Sequence, residues 1–192
     1  MTQKAEPLHY LTIQRAGELL KKKKLSPVEL TFAFLNRIET LDTKLQSYVT
    51  VLADSAIAEA RKAESEILRG DYRGPLHGIP IALKDLYDTK GVLTTASSQI
   101  MASRIPKKDS TVTKRLRESG AILLGKLAMH EFALGGPDPT INFPMARNPW
   151  NEEHIPGGSS SGSATATAAG LAMGTLGSCT GGSIRGPASR QS

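Results

Sequence analysis

The sequence predicts an α/β fold in which helices pack on a buried sheet. Two short and almost entirely apolar runs, Ile79–Leu83 and Ala121–Gly125, are typical of strands that are buried on both faces. Between them, residues 109–120 ("DSTVTKRLRESG") begin with capping residues and end in glycine, which is the pattern of a complete helix. Strand, helix and strand in this order predict an α/β layer.

The first 70 residues are predicted to be mostly helical. Residues 11–23 have apolar positions at helical spacing, and a second helix begins at "SPVELTFAFLNRIETLD". Ser26 is a natural N-cap and Pro27 suits the first helical position. Glu29 stands where a capping box would place its acidic residue.

Further elements follow in chain order. Residues 45–52 ("LQSYVTVL") are predicted to form a strand, and residues 53–70 form an Ala/Glu-rich helix that ends at Gly70. Pro, Asn and Gly residues mark a long loop from Gly135 to Pro156. Ala164–Leu176, between two Gly/Ser clusters, is apolar enough to form a buried helix and strand, which argues against a flexible linker there.

Composition indicates a globular protein. The chain has 192 residues, of which 39% are hydrophobic and 22% charged, too apolar for general disorder. Although the net charge is +6, the basic residues are dispersed, and the one dense run, Lys21–Lys24, ends a predicted helix. We therefore expect no direct nucleic-acid binding.

Cys179 is the only cysteine, so no intrachain disulfide and no zinc-binding cysteine cluster can form. No segment approaches the roughly 18 apolar residues of a membrane span, and the N-terminus has no apolar signal region. These observations predict a cytoplasmic protein that does not contact a membrane.

Two motifs resemble known active sites but do not fit them. Residues 120–127 ("GAILLGKL") have the glycine and lysine spacing of a phosphate-binding loop, but Leu127 stands where a hydroxyl should meet magnesium. Residues 158–162 ("GSSSG") fit the nucleophile elbow of α/β-hydrolases, which needs a histidine later in the chain. All four histidines precede Ser160, so both interpretations fail.

A lysine is then the remaining candidate for a base that could activate a serine. Lys84 follows the apolar run in "GIPIALKD", which would place its ammonium at the mouth of a buried strand. Burial lowers the pKa of a lysine and makes it a usable base. A lysine at a strand end is, however, more often a solvated surface group.

Three motifs in order, "GIPIALKD", "GGSSSGSA" and "GSCTGGSIRGPAS", resemble the amidase signature family. The resemblance extends upstream through "LSPVELTFAFLNRIETLD", "DSTVTKRLRESGAILLGKLAMHEFALGG" and "ARNPW", and covers about residue 11 to Ser189. It implies the amidase-signature fold, a mixed β-sheet core flanked by helices. Residues 1–192 would form one partial domain, with a mostly helical segment at 1–70 and an α/β core with the catalytic motifs at 71–192.

The resemblance implies a Ser-cisSer-Lys triad, which needs neither a metal nor an organic cofactor. By motif, Lys84 is the base, Ser159 is the bridging serine after a cis peptide bond, and Ser183 is the nucleophile. Neutral Lys84 would take a proton from Ser159, Ser159 would take one from Ser183, and Ser183 would attack the amide carbonyl to form an acyl-enzyme.

The glycine-rich loop around the nucleophile is expected to bind the oxyanion. Main-chain N–H groups of Thr180, Gly181, Gly182 and Ser183 could converge on one point, because few side chains stand in the way. Gly135 and Gly136, in "GGPDPT", are expected to line one wall of the substrate pocket.

The sequence departs from the family pattern at three places. Ser161 replaces the usual glycine after the paired serines. Cys179 replaces the usual aspartate, and a buried structural cysteine is favoured there over a second nucleophile. After "GPAS" the residues Arg190–Ser192 leave the pattern and the sequence stops, which predicts an N-terminal fragment that lacks the C-terminal half of the fold and is inactive by itself.

The sequence supports three functional hypotheses. The first is an amidase that hydrolyses a small-molecule amide to the acid and ammonia, alone or as a homodimer. The second is the glutaminase subunit of a tRNA-dependent amidotransferase, which would need partner subunits; "MHEFALGG" favours the first over the second. The third is a catalytically silent fragment with a binding or regulatory role.

Overall fold

The computed structural model describes residues 7–191 and confirms the α/β class. Its strands are β1 (Tyr48–Val51), β2 (Pro80–Lys84), β3 (Ile122–Leu127) and β4 (Gly174–Leu176). Its α-helices are α1 (Ile13–Lys21), α2 (Pro27–Leu45), α3 (Ala53–Arg69), α4 (Thr111–Glu118), α5 (Ser161–Ala168) and α6 (Arg185–Ser189). Short 3-10 turns lie at Leu8–Tyr10, Gln99–Met101 and Glu131–Ala133.

The four strands form one mixed sheet in the order β1-β3-β2-β4. The two predicted apolar strands lie next to each other at its centre, and β2 is parallel to both β3 and β4, whereas β1 is antiparallel to β3. Every residue of β2 and β3 is buried, as expected for central strands covered on both faces. Their carboxyl ends coincide, because Lys84 pairs with Leu127.

Helix α2 begins where its capping residues predict. The Ser26 hydroxyl accepts hydrogen bonds from the N–H groups of Val28 and Glu29, at 3.0 and 3.2 Å. The predicted capping box is one-sided: among the described residues the Glu29 carboxylate makes no bond back to Ser26, and the Ser26 hydroxyl donates instead to Glu64 at 2.5 Å. This contact joins α2 to α3.

The first strand is shorter than the predicted residues 45–52, because α2 continues to Leu45. Gln46 then takes a left-handed conformation with φ of 52° and reverses the chain. The Asp42 carboxylate accepts the N–H groups of Ser47 and Tyr48 at 2.8 and 3.0 Å, so the turn is held by the preceding helix. Strand β1 therefore begins at Tyr48.

Helices α2 and α3 cover one face of the sheet and form most of the apolar core. Phe34 and Leu30 of α2 are fully buried, as is Ala60 of α3. Small residues on α3 allow this helix to pack closely against α2 and β3. Each methylene group buried in this contact contributes about 0.8 kcal/mol to the stability of the fold. The remaining core side chains include Leu20, Ile38, Ile67, Ile79, Ile81, Ile122, Leu124, Leu127 and Leu171.

The Gly/Ser-rich region after residue 157 is ordered into helix, strand and helix rather than a linker. Gly162 lies in the first turn of α5, where its N–H donates to the carbonyl of Ala128 at 2.9 Å. A Cβ atom at this position would lie 2.4 Å from the carbonyl oxygen of Ser47. Glycine is therefore required for α5 to approach the end of β3 this closely.

Candidate active site

Lys84 is the last residue of β2, and its side chain is fully buried. Its ammonium donates to three serine hydroxyls: Ser159 at 2.7 Å, Ser160 at 3.0 Å and Ser178 at 3.0 Å. Of these three contacts of Lys84, the sequence predicted the one with Ser159. Since the three serines come from two loops distant in sequence, Lys84 joins the end of the sheet to both.

Burial lowers the pKa of Lys84 to about 8, and a negative charge on Cys179 opposes this shift. The shift arises because a buried ammonium loses its hydration while the hydroxyls around it replace that hydration only in part. A lysine with this pKa is neutral in a far larger fraction of molecules near neutral pH than an ordinary lysine, and only the neutral form can act as a general base.

Both paired serines are held by main-chain contacts. The peptide bond between Gly158 and Ser159 is cis, and the Ser159 carbonyl accepts the N–H of His130 at 3.1 Å. The Ser160 hydroxyl donates to the Ser178 carbonyl at 3.1 Å and accepts the Ser178 N–H at 3.2 Å. Ser160 thus fastens the two serine loops to each other beside Lys84.

Ser183 reaches this cluster through its main chain. Its carbonyl accepts the N–H of Ser160 at 3.2 Å, and its side chain is half-buried. Among the described residues no hydrogen bond joins the Ser183 hydroxyl to Ser159 or Lys84. The structure therefore brings Lys84 and Ser159 into direct contact and leaves the Ser183 hydroxyl outside that hydrogen-bond network.

The loop between β4 and α6 is open to solvent around the predicted oxyanion residues. Thr180 and Gly181 are exposed, while Gly182 is half-buried with a positive φ of 126°. Within residues 7–191, the N–H groups of Thr180, Gly181 and Ser183 make no main-chain or side-chain hydrogen bond. Donors left free in this way are available to a substrate oxygen.

Cys179, which the sequence predicted to be a buried structural residue, is exposed in this loop, because the loop between β4 and α6 is open to solvent. The pKa of its thiol is lowered, first by the main-chain N–H of Ile184 and then by Gly182 and the Arg185 guanidinium, whose Nη1 lies 3.5 Å from the sulfur. A thiolate here carries the sign of the aspartate that it replaces. The other departure, Ser161, begins α5, and its hydroxyl donates to the Ala128 carbonyl at 3.4 Å.

Sequence reasoning did not assign Ser178 or His130 to the site. Ser178 lies in the same glycine-rich motif as Ser183, and its polar side chain two residues after the end of β4 was the signal available. The His130 ring packs against Gly158 so closely that a Cβ there would lie 2.0 Å from the ring. The pKa of His130 is lowered chiefly by burial, and the charge of Lys84 lowers it further.

Gly135 and Gly136, predicted to line the substrate pocket, are exposed. Gly135 contacts the site only through its carbonyl, 3.2 Å from His130 Nδ1. A cavity of about 140 Å³ lies beside them, lined by residues that include Met129, His130 and Pro137. The role of the two glycines in substrate binding stays a prediction.

Other classes of site find no support in the described residues. Within residues 7–191, no group of three or more His, Cys, Asp and Glu side chains is placed to hold a metal ion. No helix in that range combines the length and apolarity that crossing a membrane requires. The phosphate-loop-like segment is strand β3, and its Lys126 is buried in an ion pair with Asp85 at 3.1 Å.

Comparison with known proteins shows the family of this chain. The sequence model of the family described as Amidase matches residues 29–192. The chain belongs to the amidase family. Among curated relatives, a glutamyl-tRNA(Gln) amidotransferase subunit from Moorella thermoacetica is 49% identical over 182 residues, which cover 95% of this chain and 37% of the relative. The corresponding protein of Geobacter metallireducens is 51% identical over 179 residues, covering 93% of this chain and 37% of the relative.

Solved amidase structures share the same fold. Native peptide amidase from Stenotrophomonas maltophilia superposes with a TM-score of 0.88 at 36% identity, over 95% of this chain and 39% of that structure. Fatty acid amide hydrolase gives a TM-score of 0.89 at 27% identity, over 97% of this chain and 33% of that structure. This amidase-family chain thus spans 37% of the length of the curated relatives named above.

Proposed function

We propose that this chain provides the catalytic residues for hydrolysis of a carboxylic amide to the acid and ammonia. The observation that carries the proposal is the buried Lys84 ammonium on the Ser159 hydroxyl, at 2.7 Å. A lysine whose pKa is lowered to about 8 can accept a proton from serine at physiological pH. Membership of the amidase family supports the same reaction.

The reaction begins with a proton relay. Neutral Lys84 takes the proton of Ser159 while Ser159 takes that of Ser183, and the Ser183 oxygen attacks the amide carbon. This step requires the Ser183 hydroxyl to come within hydrogen-bond distance of Ser159 Oγ, and such contacts often tighten only when substrate binds. The half-buried position of Ser183, one hydrogen bond from Ser160, is compatible with that approach.

The tetrahedral intermediate carries a negative oxygen, which the free N–H groups of Thr180, Gly181 and Ser183 can bind, together with Gly182. As the C–N bond breaks, the relay runs in reverse and Lys84 returns a proton to the leaving nitrogen through Ser159. Water then adds to the acyl-enzyme by the same route and restores the Ser183 hydroxyl. The proposed steps need no cofactor.

Covalent labelling tests the nucleophile. The complete gene product should react with a fluorophosphonate at Ser183, as read by mass spectrometry of the labelled peptide. Ser183→Ala should lose the label, while Ser55→Ala, which changes an exposed serine on α3, should keep it. Labelling that survives in Ser183→Ala and disappears in Ser160→Ala would overturn the assignment.

A second candidate is the glutaminase subunit of a tRNA-dependent amidotransferase. Identities of 49% and 51% to glutamyl-tRNA(Gln) amidotransferase subunits favour it, whereas the motif around His130 favours an independent amidase. Assays of ammonia release separate the two. Hydrolysis of a simple aromatic amide without partners supports the first candidate. Glutamine hydrolysis that requires both tRNA and a co-purifying protein supports the second.

A further inference from the structure

Directly behind the candidate base lies a second pair of buried charges, Asp85 and Lys126, which the relay does not use. Both side chains are fully buried, and Lys126 Nζ lies 3.1 Å from Asp85 Oδ1. Leu83 pairs with Lys126, and Lys84 pairs with Leu127. Because side chains alternate along a strand, the pair lies on the opposite face of the sheet from the Lys84 side chain.

Hydrogen bonds hold the Lys126 ammonium and one of the two carboxylate oxygens of Asp85. Lys126 Nζ also donates to the Tyr87 carbonyl at 2.9 Å and the Thr94 hydroxyl at 2.8 Å. Asp85 Oδ2 accepts the N–H and the hydroxyl of Thr95, at 2.8 and 2.6 Å. Within residues 7–191, Asp85 Oδ1 has no hydrogen bond, so the Lys126 ammonium alone balances that oxygen.

One chain of contacts leads from the pair to the Ser178 loop. The Tyr87 N–H donates to the Lys84 carbonyl at 3.0 Å, and the Tyr87 carbonyl accepts a hydrogen bond from Lys126. Both main-chain polar groups of Tyr87, in the turn directly after Lys84, are therefore bonded. The Tyr87 hydroxyl donates to the Gly177 carbonyl at 2.7 Å. Gly177 immediately precedes Ser178, whose hydroxyl contacts Lys84.

A second chain of contacts leads to Ser159. The Ala96 N–H donates to the Asp85 carbonyl at 3.2 Å, and the Ala96 carbonyl accepts the N–H of Phe132 at 3.1 Å. Phe132 lies in the 3-10 turn that follows His130, whose N–H binds the Ser159 carbonyl at 3.1 Å. The Asp85 region therefore connects to both serine segments that meet Lys84.

We infer that Asp85 and Lys126 are a positioning pair that holds Lys84 against Ser159 and Ser178 and keeps net charge away from the opposite face of the base. The inference rests on the proposed function. A buried pair of opposite charges that also hydrogen-bonds the surrounding loops favours one geometry of those elements. A catalytic relay needs that geometry, because a misplacement of about 1 Å can cost roughly 100-fold in rate.

Several other charged groups act on the two lysines. Cys179 and His130 interact with Lys84 from the two loops at the serine side. Asp88 and Arg104 interact with Lys126 from the turn and loop after β2, and Arg104 binds both carboxylate oxygens of Asp88 at 2.7 and 2.8 Å. A substitution of Asp85 or Lys126 leaves these four groups unchanged. A change in the pKa of Lys84 in such a variant can therefore be attributed to the loss of the Asp85–Lys126 pair.

Steady-state kinetics of the complete gene product test the inference. Lys126→Met and Asp85→Asn should each lower kcat roughly 10- to 100-fold, with a smaller change in KM. Lys126→Met leaves an unpaired carboxylate, which stabilises the Lys84 ammonium, so the acid limb of kcat/KM should move to higher pH. Asp85→Asn should move it to lower pH, and the double variant should return it towards the wild-type position. Variants that fold and keep the wild-type kcat and pH profile would overturn the inference.

Milder variants cover the case in which these substitutions prevent folding. Tyr87→Phe removes only the hydroxyl that donates to Gly177. Thr95→Val removes the hydroxyl that donates to Asp85 and that also accepts the Ser97 N–H at 3.1 Å. Each should lower kcat by about tenfold, and wild-type kcat in both would contradict the proposal. The matched control is His77→Asn, which removes the buried histidine paired with Glu66 at 3.0 Å and should lower the melting temperature without moving the pH profile.

A measurement that does not use catalysis separates this inference from the proposed function. NMR titration of the Lys84 side chain in ¹³C,¹⁵N-lysine-labelled protein, assigned with Lys84→Arg, reads its pKa directly. A rise in Lys126→Met and a fall in Asp85→Asn would support the pair even if no amide is hydrolysed. An unchanged Lys84 titration in both folded variants would contradict the inference, whereas absent turnover in the wild-type protein would contradict the proposed function alone.

Discussion

The Lys84 ammonium donates a 2.7 Å hydrogen bond to the Ser159 hydroxyl across 75 residues of sequence. Lys84 stands at the carboxyl end of a central parallel strand, and Ser159 lies in the loop that leads into α5. Carboxyl ends of parallel strands are where open α/β sheets commonly place their ligands. The contact therefore joins a fully buried central strand to the segment proposed to carry the chemistry.

The pH dependence of kcat/KM should report the ionisation of Lys84. In the proposed relay the free base of Lys84 is the active form, so the rate should be low below the pKa, rise through about pH 8 and level off above it. Lys84→Arg, which stays protonated over this range, should have no measurable activity. A profile that stays flat from about pH 6 to about pH 9, a range that spans the ionisation of such a lysine, would show that the base is a different group.

Charge at residue 179 should tune this profile. Cys179→Asp replaces an ionisable thiol with a carboxylate that is charged throughout this pH range, so the pKa of Lys84 should rise and the acid limb should move to higher pH. Cys179→Ser removes the ionisable thiol and should move the limb to lower pH. Identical profiles for the two variants would mean that residue 179 does not act on Lys84.

The three proposed relay residues should differ in their contribution to the rate. Ser183→Ala removes the acyl acceptor and should lower kcat by about 10⁴-fold or more, with the melting temperature preserved. Ser159→Ala should give an intermediate rate, because a water molecule can partly replace its hydroxyl. Adding Lys84→Ala to Ser183→Ala should cause little further loss, since residues that act as a unit are non-additive. A multiplicative loss would argue against a shared relay.

The close approach of α5 to β3 predicts a large effect on stability. In Gly162→Ala the new Cβ would meet main-chain atoms of Ser47 and Ala128 at 2.4 and 2.6 Å, which cannot move without displacing the strand end. We expect a loss of about 1–3 kcal/mol or more in the free energy of unfolding, measured by urea denaturation. Gly186→Ala, whose Cβ would have no atom within 4 Å, is the matched control and should lie within about 0.5 kcal/mol of wild type.

Much of the fold could be predicted because apolar runs and helix-capping residues act over only a few neighbouring positions in the sequence. Uninterrupted apolar runs identified β2 and β3, and glycine at Gly70 identified the end of α3, where φ is 97°. The limit of such signals is visible at Ser26, where the capping pattern predicted a reciprocal bond with Glu29. The Ser26 hydroxyl instead donates to Glu64, which is 38 residues away in the sequence. A local capping pattern cannot predict a contact between residues so far apart.

In the candidate site, too, some features could be predicted from the sequence and others were visible only in the structure. By itself the sequence determined the family through its three ordered motifs, and with it the candidates Lys84, Ser159 and Ser183. Only the tertiary structure decided that Ser160 and Ser178 share the Lys84 ammonium, that the Ser183 hydroxyl stands outside this network, and that Asp85 and Lys126 neutralise each other behind it. The physical reason is that motifs record residue types at fixed spacing, whereas hydrogen-bond partners and pKa shifts depend on burial and on which loops meet in space.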